Sequence, residues 1–166
     1  REMRLYPNGA IAAHVLGGAS FGREGVHSAE VVGTAGTEKT FDTWLRDPAN
    51  GGAPLQLSID LTVQSTVEDV LYGGMRLMNA KAASAIMMDV GTGEIVAMAS
   101  LPDFDPNTRP SPILKGEPSD SPLFNRAAQG VYELGSTFKV FAVAQALELG
   151  LVNPDTLVDT KSPMFW

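Results

Sequence analysis

The sequence predicts an α+β fold, with helices packed on an antiparallel sheet. Three observations carry this. Two β-prone runs, residues 85–90 and 94–100, are joined by Gly91-Thr92-Gly93 and read as a hairpin. Val63, Val67, Val70, Leu71, Leu77 and Met78 recur on one face of a helix that would pack on that sheet. A second apolar stretch, residues 136–149, has helical spacing and stops at Gly150. The composition allows a packed core. The 166 residues are 44% hydrophobic, too apolar for a disordered chain.

Residues 1–53 are Gly-rich and weakly periodic. Pro7, which fixes φ, and Asn8-Gly9, which tolerates positive φ, predict a turn over 4–9. Residues 11–16 read as a short apolar strand or helical turn. Residues 33–36 read as a second turn, and Phe41, Trp44 and Leu45 sit at helical spacing, with the Phe41/Trp44 pair expected in the core. The breaker-dense stretch 47–54 is the expected boundary between segments. Beyond it, Leu55, Leu57 and Ile59 alternate with polar residues and predict a half-buried strand. Asp60 or Thr62 can cap the helix that follows, and Gly73-Gly74 weakens it by about 1 kcal/mol per glycine. Residues 101–125 are Pro-rich and poor in aliphatics, so they form a long loop, a class that is usually functional or disordered.

Charge and composition exclude several chemistries. A net charge of −7 with no basic cluster argues against nucleic acid as the main partner. The absence of Cys removes disulfides, iron–sulfur clusters and a thiol nucleophile. His14 and His27 lack the spacing of a zinc helix, which argues against zinc. Asp103 and Asp105 fit an Asx-turn better than a metal pair. Gly17–Gly22 has phosphate-loop glycines, but Arg23-Glu24 stands where Lys-Ser/Thr is required. No apolar run approaches the roughly 18 residues that span a bilayer. Both ends read as cut. The chain starts at Arg1 without an apolar leader and stops on Pro163-Met164-Phe165-Trp166, so a piece of a longer protein is expected.

One tetrapeptide carries chemistry. In Ser136-Thr137-Phe138-Lys139, residues i and i+3 at a helix start share a face. A Ser needs a base to act as a nucleophile, and a nearby Lys can supply it. The positive end of a helix also favours developing anionic charge. With eleven Ser and five Lys, about 0.3 matches arise by chance, so the motif alone is weak. Context strengthens it. Gly135 precedes it, an apolar helix follows, and Lys139 is the only charge between Ser136 and Glu148, a position that costs desolvation unless it has a task.

The motifs, in order, resemble those of class B penicillin-binding proteins, the membrane-anchored peptidoglycan D,D-transpeptidases, and most of all the division-specific subgroup of Gram-negative bacteria. Arg4-Leu5-Tyr6-Pro7-Asn8-Gly9 and the Gly33-x-x-Gly36-x-Glu38 stretch are similar to motifs of the family's non-penicillin-binding domain. Ser58-Ile59-Asp60-x-x-x-Gln64, the 89–98 hairpin, Pro102-Asp103-Phe104-Asp105-Pro106-Asn107, Asn125-Arg126 and the Ser136-x-x-Lys139 run are similar to its transpeptidase domain.

The resemblance implies a partial transpeptidase fold. Residues 1–53 would be the C-terminal part of an N-terminal pedestal or dimerisation domain, and 54–166 the N-terminal part of the transpeptidase domain. Ser136 would be the acylated nucleophile, Lys139 its proton acceptor, and the Ser136 N–H one oxyanion donor. The substrate would be the D-Ala-D-Ala end of a stem peptide, β-lactams would mimic it, and the resemblance implies no metal or organic cofactor. Divisome proteins, including a lipid-II glycosyltransferase, would be partners at the periplasmic face of the inner membrane. Two further motifs of the family, Ser-x-Asn and Lys-Thr/Ser-Gly, do not occur here, and Lys161-Ser162-Pro163 does not replace them. The chain alone is therefore expected to be inactive or nearly so. A serine β-lactamase and a non-catalytic assembly or sensor protein are the competing readings. Arg4 and Glu38, 34 residues apart, are expected to form a buried or half-buried ion pair. Breaking a buried pair costs about 3–5 kcal/mol.

Overall fold

The computed structural model describes residues 4–21, 31–158 and 161. His27 and the Gly22 and Arg23-Glu24 positions of the rejected phosphate loop lie outside the described residues, as do Ser162-Pro163. Two compact units divide the chain, Arg1–Gly130 and Val131–Trp166. The first holds both sheets. It contains α1 (Ala13–Leu16), β1 (Gly18–Phe21), β2 (Val31–Ala35), α2 (Gly36–Thr40), α3 (Asp42–Arg46), α4 (Leu61–Leu77), β3 (Ala83–Met88), β4 (Ile95–Leu101) and α5 (Arg126–Gln129). The second contains α6 (Lys139–Glu148), entered through a 3₁₀ turn at Gly135–Phe138.

The turn at the start forms as expected, with Gly9 N–H donating to the Tyr6 carbonyl at 3.1 Å. Residues 11–16 resolve to the helical turn α1. The expected second turn at 33–36 is instead strand followed by helix, because β2 pairs antiparallel with β1. Gly33 sits in that strand for steric reasons, since a Cβ there would collide with the Glu38 carbonyl. Its N–H donates to Asp42 Oδ1 at 2.8 Å. The helical spacing of Phe41, Trp44 and Leu45 is real but broken at Phe41, between α2 and α3. Phe41 is 41% exposed, which corrects its assignment to the core.

The second sheet is the expected hairpin, β3 antiparallel to β4, with Ala85 opposite Ala99. Asp89 closes its turn by accepting from the N–H groups of Gly91 and Thr92, both at 2.8 Å. These bonds hold the Asp89 carboxyl below its ordinary value. Ala97, Ala99, Leu101 and Phe104 are buried and form the core of this part.

Residues 55–59 do not form the expected strand, yet their burial alternates as a strand's would. Only isolated bonds reach β4: Ser58 Oγ to the Ile95 carbonyl at 2.7 Å and Asp60 N–H to the Val96 carbonyl at 3.0 Å. Farther along β4 the partner is a side chain from α4, so no ladder continues.

Asp60 caps α4 by accepting from Thr62 and Val63 N–H. The expected apolar face packs only over the first turns. Val63 and Val67 are half-buried, whereas Leu77 is 85% exposed. The long loop 102–125 is ordered by two 3₁₀ turns, Pro106–Thr108 and Pro118–Asp120. Asp105 accepts from Asn107 N–H at 2.8 Å, which is the expected Asx-turn.

Candidate active site

In the second unit, Gly135 adopts φ 56°, a left-handed conformation that favours glycine. This reverses the chain ahead of the nucleophile candidate. Ser136 lies in the 3₁₀ turn and Lys139 is the first residue of α6. Helical structure thus starts as expected, but its first turn is 3₁₀. In that geometry side chains at i and i+3 eclipse one another. Ser136 and Lys139 therefore project from the same side of one turn, as the i, i+3 spacing at a helix start predicts. Both are exposed, so Lys139 is solvated where the sequence suggested a desolvated amine. Phe138 and Phe141 pack at 5.5 Å between ring centroids. α6 ends in a Schellman arrangement: Leu151 N–H donates to the Ala146 carbonyl and Gly150 N–H to the Leu147 carbonyl.

The first unit places the other pair. Arg4 Nε lies 3.4 Å from Glu38 Oε2. The Arg4 side chain is 38% exposed, so the pair is worth about 0.2–1 kcal/mol rather than the buried-pair figure. Tyr6 Oη donates to Glu38 Oε1 at 3.5 Å. Burial, and then the Glu38 charge, raise the Tyr6 phenol above its ordinary value. Tyr6 and Glu38 line a cavity of about 260 Å³ together with Leu5, Pro7 and Leu16.

Several organising side chains, three of them in motifs noted above, have partners that the sequence does not reveal. Gln64 is fully buried in α4. Its Nε2 donates to the Met98 carbonyl at 2.9 Å and its Oε1 accepts from Met98 N–H at 2.8 Å, so the carboxamide pairs with β4 as a backbone would. Asn107 does the same for Tyr6, at 3.0 and 2.9 Å. Arg109 donates to the Gly17 carbonyl at 2.9 Å and stacks over Phe104. Buried Arg126 donates to the carbonyls of Ser119 at 2.6 Å and Phe124 at 3.1 Å, closing the end of the loop. The sequence signals for Gln64 are its place in the Ser58-Ile59-Asp60-x-x-x-Gln64 motif and a lone amide beside an apolar helical stripe, and neither reveals its partner.

His14 bonds the Pro122 carbonyl at 2.8 Å and meets Phe104 edge-on. Burial holds its imidazole below the ordinary value. Asp103 is raised, also by burial. No group of three or more potential metal ligands occurs among the described residues. No described helix is long and apolar enough to cross a membrane.

Residues 83–164 match the penicillin binding protein transpeptidase domain. The probable peptidoglycan D,D-transpeptidase FtsI of Caulobacter vibrioides is 40% identical over 164 residues, 98% of this chain and 26% of that protein. The peptidoglycan D,D-transpeptidase FtsI of Escherichia coli is 30% identical over 179 residues, 95% of this chain and 28% of that protein. The penicillin-binding protein PbpB of Mycolicibacterium smegmatis is 30% identical, over 95% of this chain and 26% of that protein. The chain thus spans about a quarter of the length of the curated relatives it matches. The matched domain, these relatives and the helices-on-hairpin architecture establish that the chain belongs to the class B penicillin-binding protein transpeptidases and carries part of their transpeptidase domain.

Proposed function

We propose that this chain supplies the nucleophile half of a peptidoglycan D,D-transpeptidase active in septal wall synthesis. The observation that carries the reading is the Ser136-x-x-Lys139 turn, which follows the Gly135 reversal and opens α6. Lys139 accepts the Ser136 Oγ proton as Oγ attacks the penultimate carbonyl of a D-Ala-D-Ala stem. The Ser136 N–H is one donor to the resulting oxyanion. The C–N bond breaks, and the terminal D-Ala leaves with the proton on its amine. An amino group of a neighbouring stem then attacks the ester, forms the cross-link and restores Ser136. A β-lactam acylates the same oxygen but retains its leaving group in the ring-opened adduct.

The names of the relatives support the substrate class and the division role. We extend the proposal to residues 1–53 as the end of a pedestal domain and 54–166 as the start of the transpeptidase domain. The protein would work with divisome proteins, a lipid-II glycosyltransferase among them, at the periplasmic face of the inner membrane. The Arg4–Glu38 pair would serve structure rather than chemistry. Since Ser-x-Asn and Lys-Thr/Ser-Gly do not occur in these residues, residues 1–166 alone should be inactive.

A fluorescent penicillin tests this on the intact protein. Lasting label that disappears in Ser136→Ala supports the proposal. Label that forms and is rapidly hydrolysed would indicate a β-lactamase, and no label on the wild type would overturn both enzymatic readings.

A further inference from the structure

The N-terminal segment, residues 6–17, is fastened to the rest of its unit by bonds to α2, to the loop 102–125 and to α4; on α2, Thr37 Oγ1 donates to the Val15 carbonyl at 2.8 Å and Glu38 accepts from Tyr6 Oη. On the loop 102–125, Tyr6 meets Asn107, His14 meets the Pro122 carbonyl, and the Gly17 carbonyl meets Arg109. One further bond ends on α4. Ala12 N–H donates to Glu68 Oε1 at 3.0 Å, and the same oxygen accepts from Gln64 Nε2 at 2.6 Å. The Gln64 carboxamide then holds both polar groups of Met98.

Each link is directional. Gln64 has two amide hydrogens, one used by the Met98 carbonyl and one by Glu68. Losing Glu68 frees the second and removes one of the three bonds that hold the carboxamide, leaving the two to Met98 without that support. The other terminus is strained: Ala12 is buried with φ 58° and ψ 24°, a conformation a non-glycine residue adopts at a cost. Such strain persists where neighbours over-determine it, and the Glu68 bond is one of those restraints.

We propose that Glu68 and Gln64 act as a relay that couples the seating of residues 6–17 to the order of β4 at Met98. Unseating Ala12 loosens Met98, and the reverse holds by thermodynamic reciprocity. The proposal does not rest on the role of Ser136.

The test is amide hydrogen exchange at single-residue resolution on the intact protein. The N–H groups of Ala85 and Ala99, paired across β3 and β4, serve as reference. In Glu68→Leu, the Ala12 and Met98 amides should both exchange about fivefold faster than the reference amides, the loss expected for one net hydrogen bond. In Glu68→Gln, which retains an acceptor of the same reach, both should stay within about twofold of wild type. If Glu68→Leu does not fold, Glu68→Asp replaces it, since the shortened carboxylate cannot hold both donors. Acceleration at Ala12 with Met98 unchanged, or equal acceleration of all four amides, would overturn the relay.

Discussion

Gln64 shows how one side chain can decide what an element does. Its carboxamide takes the place of a neighbouring strand on β4 at Met98. The sequence marks Gln64 as a motif residue near an apolar stripe but not what it binds, because its partner lies 34 positions away. His14 is a similar case. Spacing shows only that it is a poor zinc ligand, whereas burial between Phe104 and the Pro122 carbonyl makes it a titrating group. Its folded pKa lies below the ordinary 6.5. The unfolded chain therefore takes the proton first, and stability is lost as pH falls from 6.5 through the lowered folded value. Burial of Glu68 and Asp103 raises their pKa values and acts with the opposite sign. There, stability is lost as pH rises from the ordinary carboxyl value through the raised one. Between about pH 7 and 5 the His14 contribution should be visible, and His14→Gln should flatten that part of the profile. Urea midpoints of wild type and variant at the two pH values measure this, and equal slopes would show that His14 does not titrate as described.

At the scale of elements, local signals were read well where the chain itself satisfies its polar groups. The Asp60 cap, the β3–β4 hairpin and the Asp105 turn each close within a few residues or across one short turn. α4 also ends locally. Ala80 N–H donates to the Met75 carbonyl at 2.9 Å and Asn79 N–H to the Arg76 carbonyl at 3.2 Å, a Schellman cap with Asn79 at φ 49°. Glycine adopts that conformation without a Cβ penalty. Asn79→Gly should therefore raise stability by about 0.5 kcal/mol, while Asn79→Val should lower it by about 1–2 kcal/mol. Thermal melts of both variants check the pair, and a stable Asn79→Val would remove the cap from the account. Segment 55–59 went the other way. Its alternation predicts a strand, and the alternating burial is present, but a strand needs a free partner edge along its whole length. Phe41 likewise has helical spacing without the buried face that spacing suggested.

At the scale of the molecule, apolar surface is left open in both units. In the first, Ile86 and Met88 on β3 are about half exposed, as is Tyr72 on α4. In the second, Val140, Phe141 and Val143 on α6 are all more than half exposed. Contiguous apolar surface of this kind drives association in isolation. Residues 1–166 expressed alone should show sedimentation coefficients that rise with concentration and a broad thermal transition instead of a sharp cooperative one. A concentration-independent monomer with a sharp melt would refute this.

The sequence by itself determined the α+β class, the hairpin, the α4 cap, the family and the Ser136-x-x-Lys139 turn, because each is written in residues close together along the chain. Tertiary structure alone decided that Gln64 would stand in for a strand at Met98. It also decided that Asn107 would pair with Tyr6, that His14 would lose water, and that the Arg4–Glu38 pair would stay partly solvated. Those outcomes depend on which distant groups share a desolvated space, and a buried donor or acceptor must find its partner wherever the fold brings one within reach.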